Sequence, residues 1–438
     1  MIVNATTPAD LTAVAHPDIQ EGRDVFRKII WRIVPFLTVA LIFNNMDRTN
    51  VGFAALTMNH DLGLSASQFG VGAGILFASL CALEIPSNLA LHYFGAPRWM
   101  ARVMISWGIL AAVTAFVVGP YSFYVVRFLL GAAEAGFFPG VIYIFATWFP
   151  ANYRTRIYAW FLLSSPLAAT ISGPLSAAIL PMDGFLGLAG WSWMLLLEGL
   201  PVVLLGLMCP WVLANKPEDA AWLTREERAT AVRVLAAEKR NDPVESMWAA
   251  MTDKRVLMLS VVIFGFLLGS YGLGVWLPLI LKGHDLTNTQ IGLLSSVPFL
   301  VGCVTLIVWA QLIDRGGRRL SSLTLACLLS AIGFIISLLA PTVLVVAYGG
   351  LSLAVIGITV TRGLFWSIPP RVLQGVAAAG GIAFINTIGT FGGFLGPASM
   401  GWLKDLTGSF TSGLAFMAGI LLLSGILSFC LRFVMPQE

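Results

Sequence analysis

Seven ionisable residues stand inside otherwise apolar stretches, away from their ends: Asp47, Arg48, Glu84, Arg127, Glu134, Glu198 and Arg362. A charge at the centre of such a stretch costs about 2.5 to 3.5 kcal/mol on an insertion scale, so these residues must face water or one another. Arg127 and Glu134 are seven residues apart, which on a helix leaves them within about 20° of one face and roughly 10 Å apart in height. One element thereby offers an anion hook and a protonatable acid to the same space. Arg48 reaches the depth of Arg127 if the elements carrying them run in opposite directions, and two guanidiniums at matched depth can clamp a carboxylate through fork-like hydrogen bonds. Desolvation and a neighbouring arginine act oppositely on a carboxyl group, so arrival of an anion and protonation become coupled. The plainer alternative is helix glue, with Asp47 paired to Arg127 or Glu134 to Arg48.

Other chemistries find little footing. Cys81, Cys209, Cys303, Cys327 and Cys430 all lie in apolar runs without a CxxC pair and read as small hydrophobes. His16, His60 and His284 fall in the tail or in connectors without metal-ligand spacing, so no metal and no cofactor other than a coupling proton is expected. No nucleophile and base are placed together in a span, and Ser164 and Ser165 have no nearby His or Lys, so an enzyme is not expected. A membrane sensor would need an output domain, and only the central loop of roughly 40 residues is available for one.

The elements that position the charges are membrane spans. The chain has 438 residues, 58% hydrophobic and 11% charged, with a mean hydropathy of +0.85. A helix needs roughly 20 apolar residues to cross a bilayer, and the length suits twelve. Apolar runs fall near 30–55, 66–91, 99–119, 121–149, 155–181, 192–214, 256–281, 289–312, 319–340, 342–366, 374–403 and 411–434. Alternating these from an inside N-terminus puts 21 of the 26 Lys and Arg in cytoplasmic connectors and only Lys282 and Lys404 outside. That asymmetry places both termini in the cytoplasm. The net charge is +4, and 24 of the 48 charged residues sit in two stretches of mixed sign, before Ile33 and between Lys216 and Arg255, which argues against a nucleic-acid partner.

These runs divide into a tail over 1–28, a six-helix bundle over 29–214, a linker over 215–253 and a second bundle over 254–438. In the linker, Thr224-Arg225-Glu226-Glu227 forms a capping-box pattern ahead of Ala229, Val232 and Leu235, predicting a short amphipathic helix. The halves repeat: Gln68-Phe69-Gly70 matches Gln290-Ile291-Gly292 at an offset of 222, and Gly173-Pro174 matches Gly396-Pro397 at 223. Parallel repeats of this kind place a substrate site at their interface, and transport by alternating access is the expectation.

The segment Ala310-Gln311-Leu312-Ile313-Asp314-Arg315-Gly316-Gly317-Arg318-Arg319 resembles the GxLxDRxGRR loop motif of the major facilitator superfamily, with Ala for the first Gly. Its first-half counterpart, Asn88 to Arg98, carries His92 where the acid is usual. An acid at a helix end beside arginines can pair in one arrangement of the halves and release in another, so Asp314, Arg315 and Arg318 are gate candidates.

Asp47-Arg48-Thr49-Asn50, Arg127 through Glu134 to Gly140, Trp148-Phe149-Pro150, Glu198-Gly199-Leu200-Pro201 and Asn386 through Gly393 to Pro397 resemble the anion:cation symporter family within that superfamily, over about residues 30–435. The resemblance implies cation-driven uptake of a small carboxylate such as tartrate, a phthalate, an aldonate or a hexuronate, commonly with protons, by a monomer in a bacterial inner membrane. It makes Asp47 and Glu134 the proton-coupling residues, Arg48 and Arg127 the anion contacts, and Asn386 a hydrogen-bond partner of the substrate. Ser164 and Ser165 fall where some sugar-acid carriers have an amide. Tyr271, Trp276 and Ser367 are further candidates to line the cavity, with helix packing as the plain alternative. A proton-independent exchanger or facilitator of the same fold is the principal alternative function.

Overall fold

The computed structural model describes residues 17–237, 252–316, 318–369 and 375–434. Fifteen α-helices run along the described residues, with no strand among them. They are α1 (Pro17–Asp61), α2 (Ala66–Phe94), α3 (Ala96–Val113), α4 (Pro120–Glu134), α5 (Phe137–Trp148), α6 (Ala151–Leu162), α7 (Ser164–Ile179), α8 (Gly190–Val212), α9 (Arg225–Ala236), α10 (Lys254–Lys282), α11 (Asn288–Gly316), α12 (Arg319–Leu339), α13 (Leu344–Phe365), α14 (Gly375–Thr407) and α15 (Thr411–Val434). Helices α4 with α5, and α6 with α7, are two broken spans, and ten spans in all are long and apolar enough to cross a bilayer. The long helices α1 and α14 pack among these ten and complete the twelve. Helix α1 starts at Pro17, well inside the stretch assigned to the tail.

The two halves repeat each other contact for contact. Helix α3 packs on α8 as α12 packs on α15, α2 on α4 as α11 on α13, and α1 on α7 as α10 on α14. Across the midline α2 meets α14, α7 meets α11, and α1 meets α10. The repeated sequence markers find each other there. Gly70 of α2 lies against the Pro397 carbonyl of α14, and Gly292 of α11 lies against Gly173 of α7, where a Cβ would stand 2.5 Å from the Gly173 oxygen. A side chain at either site would overlap backbone, so both glycines serve close helix crossing. Away from this interface, Leu204, Val304, Leu325 and Ile426 are exposed, as a lipid-facing wall requires.

Helix α9 forms where the capping box foretold: Thr224 Oγ1 accepts from the Glu227 amide, and Glu227 Oε2 accepts from the Thr224 amide. It is strapped to the start of α1 by Lys28, which donates to both Glu227 carboxylate oxygens at 2.8 Å. Arg32 donates to the Trp211 carbonyl and lies over Trp222, which stacks on Trp148. This end of the molecule is called the α9 end below.

Candidate functional site

Helix α4 ends at Glu134 because Ala135 leaves the helical region (φ −56°, ψ 128°) and Gly136 is left-handed (φ 88°). Only glycine suits that turn, since a Cβ there would also collide with the Ser87 side chain. Ser87 Oγ donates to the freed Ala135 carbonyl. The break delivers Glu134 to α1, where Asn44 and Arg48 sit one turn apart on one face.

Glu134 Oε2 accepts from Asn44 Nδ2 at 2.8 Å, from Arg48 Nη2 at 3.0 Å and from Arg48 Nε at 3.2 Å. Its other oxygen, Oε1, is buried and has no hydrogen-bond donor among the described residues. Arg48 also crosses the midline: Nη1 donates to the Tyr271 hydroxyl on α10 at 3.3 Å, and the guanidinium lies over Phe77. Arg48 therefore links Glu134 of the first half to Tyr271 of the second.

These groups face a cavity of about 470 Å³, within the range of small-molecule sites. Asn44, Asn45, Arg48, Glu134 and Ser165 line it from the first half, and Tyr271, Arg362 and Asn386 from the second. Ser165 Oγ donates to Asn45 Oδ1, which fixes that amide. Asn386 Nδ2 donates to Glu84 Oε1 at 3.2 Å, a polar bridge between the halves. On α11 the wall continues through Leu306 to Gln311, and on α13 through Ile358 to Trp366, so the cavity runs toward the α9 end. At the opposite end the glycine crossings hold the halves together.

A second polar cluster is sealed inside the first half. Asp47 Oδ2 accepts from the Trp107 indole, and Asp47 Oδ1 accepts weakly from Asn50 at 3.5 Å. Asn50 Nδ2 in turn donates to Glu198 Oε2 at 2.6 Å. Arg127, 1% exposed, reaches the Asp47 carbonyl with Nη1 at 3.4 Å. Its Nε and Nη2 are buried without an acceptor among the described residues.

The expected residues thus divide. Arg48, Glu134, Tyr271 and Asn386 share the cavity wall, and Asp47 and Arg127 stand behind it. The expected clamp of Arg48 with Arg127 is not formed in this arrangement, because Arg127 is buried inside the first half, where it reaches the Asp47 carbonyl. Ser164 is fully buried and donates to the Phe161 carbonyl, while its neighbour Ser165 takes the wall position. Trp276 is a closing residue at the far end: its indole donates to the Pro397 carbonyl and its ring meets Phe69 edge-on. Ser367 donates to the Leu364 carbonyl at the end of α13 and is off the wall. Arg318 is exposed at the start of α12, whereas the side chains of Asp314 and Arg315 lie outside the described residues. His92 packs against the Tyr143 ring at 4.7 Å, an aromatic contact rather than a charge latch.

Several wall residues, Asn44, Asn45, Glu84 and Arg362 among them, escaped the sequence assignment of roles. Asn44 could have been found from its four-residue spacing to Arg48. Glu84 and Arg362 were visible as in-span charges, yet nothing in one sequence says which of seven such charges share a void.

A largely apolar cavity carrying a few ionisable and amide groups, set between two repeated helical halves, open toward one end and closed at the other, defines a membrane carrier. The chain belongs to the Major Facilitator Superfamily, which residues 37–397 match. A protein of Agrobacterium vitis named "Putative tartrate transporter" is 46% identical over 415 residues, 94% of this chain and 92% of its own. The Pseudomonas putida protein NicT, named as a metabolite transport protein, is 38% identical over 97% of this chain and 96% of its own. The xylose transporter XylE of E. coli, in a partially occluded inward-open conformation, shares the fold at a TM-score of 0.74 and 14% identity, covering 93% of this chain and 100% of that one.

Proposed function

We propose that this transporter takes up a small organic carboxylate together with protons, with tartrate-like acids the first compounds to test. The observation that carries the reading is the sharing of one Glu134 oxygen by two nitrogens of Arg48. While Glu134 is ionised it neutralises Arg48 and holds its fork. A proton on Glu134 removes that competition, and the guanidinium is then free to receive a carboxylate from the substrate. Arrival of the substrate and retention of the proton thereby favour each other.

The charge asymmetry of the connectors supports a cytoplasmic α9 end, with both termini there and the cavity facing inward. Residues 29–214 and 254–438 act as the two moving bodies, joined by 215–253, in a monomer of the bacterial inner membrane. An inside-negative potential opposes anion uptake by about 2.3 kcal/mol per charge per 100 mV. One proton cancels a monoanion and two cancel a dianion. Asp47, which shares the Asn50 amide with Glu198, is the second protonatable group, and Arg127 joins the path when the far end opens.

In proteoliposomes, the wild-type protein is expected to concentrate tartrate under an inward proton gradient, with alkalinisation of the outer medium. Glu134→Gln and Asp47→Asn are expected to lose accumulation while retaining substrate exchange. Undiminished accumulation in both variants refutes proton coupling through these acids, and uptake by the wild type without proton movement points to the exchanger instead.

A further inference from the structure

We infer that Arg362 is a second carboxylate anchor, and that the cargo is a dicarboxylate held between Arg48 of the first half and Arg362 of the second. The inference rests on the reading of the cargo as an organic acid and goes on to name its charge and its contacts.

Arg362 is in the last turn of α13, half-buried, on the cavity wall. Its guanidinium carbon lies 5.8 Å from the centre of the Tyr271 ring, and the hydroxyl of that same tyrosine accepts from Arg48 at 3.3 Å. Two guanidiniums from opposite halves therefore converge on one tyrosine of α10. Their electrostatic situations differ. Arg48 is neutralised by Glu134. Among the described residues no carboxylate lies within 4.0 Å of Arg362. Glu84, the other acid on the wall, is engaged by the Asn386 amide. A cation at a helix C-terminus is stabilised by the helix dipole, but that role requires neither a cavity position nor an aromatic platform. Contact with Tyr271 positions the guanidinium at the wall, and a guanidinium has five N–H donors, more than one tyrosine can occupy.

The two anchors become available in order. Arg362 receives the first carboxylate at once. The second carboxylate takes the place of Glu134 at Arg48 after that acid is protonated. A dianion so bound bridges the halves, whereas a monocarboxylate satisfies one anchor and leaves the other without a counter-charge. Preference for two carboxylates is thus built into the spacing of the arginines about Tyr271.

The test compares half-saturation concentrations for succinate and butyrate, which differ by one carboxylate, in proteoliposomes of wild type and Arg362→Gln, with tartrate uptake as the reference. The wild type is expected to favour succinate strongly. Arg362→Gln is expected to weaken succinate on the order of 100-fold and to collapse the succinate-to-butyrate ratio toward one. Should Arg362→Gln not purify as a single species, Arg362→Lys is expected to show the same selective loss at smaller size, because it keeps the charge and loses the fork. A ratio unchanged in the variant, or no succinate preference in the wild type, overturns the inference and leaves the organic-acid reading standing. Failure of the wild type to take up succinate, butyrate or tartrate overturns that reading and this inference with it.

Discussion

Ser67, in the first turn of α2, donates its backbone N–H to the carboxylate of Asp405 on α14 at 2.7 Å, so an acid from one half caps a helix of the other. The Ala66 N–H joins it at 3.2 Å. These are N–H groups that no helix can satisfy internally. Asp183, one residue from the repeat-equivalent position, caps the Gly190 N–H within its own half instead. The repeat therefore supplies one cross-half latch at the closed end. Asp405→Ala removes it at a cost of about 0.5 to 2 kcal/mol. The expected result is a longer distance between spin labels at Leu64 and Ser409, with a substantial open population. An unchanged distance distribution means that the latch carries no weight.

Gly292 and Gly173 touch backbone to backbone at the same end. Gly292→Ala inserts a methyl group that the opposing carbonyl cannot avoid, and overpacking of this kind costs about 1 to 3 kcal/mol. The variant is expected to fold, shift toward the arrangement open at the far end, and transport several-fold more slowly. Transport at the wild-type rate would show that the crossing is looser than its geometry.

Trp107 supplies an indole donor to Asp47 inside the sealed cluster. Trp107→Phe leaves a buried carboxylate short of a donor, a loss of about 1 to 3 kcal/mol. Thermal unfolding in detergent should fall by several degrees, and the Asp47→Asn, Trp107→Phe double variant should recover part of it. Equal melting of wild type and Trp107→Phe argues against a bond of any strength.

The α9 strap carries a pH dependence. Burial pushes the Glu227 carboxyl up, but the hydrogen bond from Lys28, the Thr224 amide and the Lys28 charge together outweigh it and hold the group below its ordinary value of 4.5. A depressed acid contributes stability above the ordinary value and loses it as pH falls through the lowered one. With Lys28 and Glu227 side chains 46% and 24% exposed, the pair contributes under about 1 kcal/mol. A fluorophore on Ala236 should report loosening of α9 in acid, and Glu227→Gln should show it already at pH 7 as up to about fivefold faster tryptic cleavage. A flat acid titration that matches the variant excludes the strap.

The fold was legible because bilayer crossing leaves a coarse signal: apart from α1, whose polar first turns precede its apolar run, the apolar runs agree with the helices to within a few residues, and the QxG and GP markers proved to be the surfaces on which the halves meet. The site was legible in part. Arg48 and Glu134 stood out as costly charges at compatible depths, and they pair. Arg127 stood out equally and lies behind the wall, because depth along a helix does not say which end of the carrier is shut. Trp276 and Ser164 show the same limit: polar or aromatic character inside a span marks a need for a partner, and the Pro397 and Phe161 carbonyls answer that need locally. Arg362 is legible as a wall residue only in the fold, which brings it to the tyrosine that Arg48 also reaches.

The interruption after Glu134 separates two mechanical tasks. An unbroken rod would transmit any tilt of α5, and of the Phe138–Pro139 lip it carries, straight into the acid's contacts with Asn44 and Arg48. With the backbone discontinuous at residues 135 and 136, the lip can swing while the Glu134 carboxyl keeps its donors. The width of the mouth and the contacts of the buried acid are then adjustable separately, and residue changes that reshape one need not disturb the other.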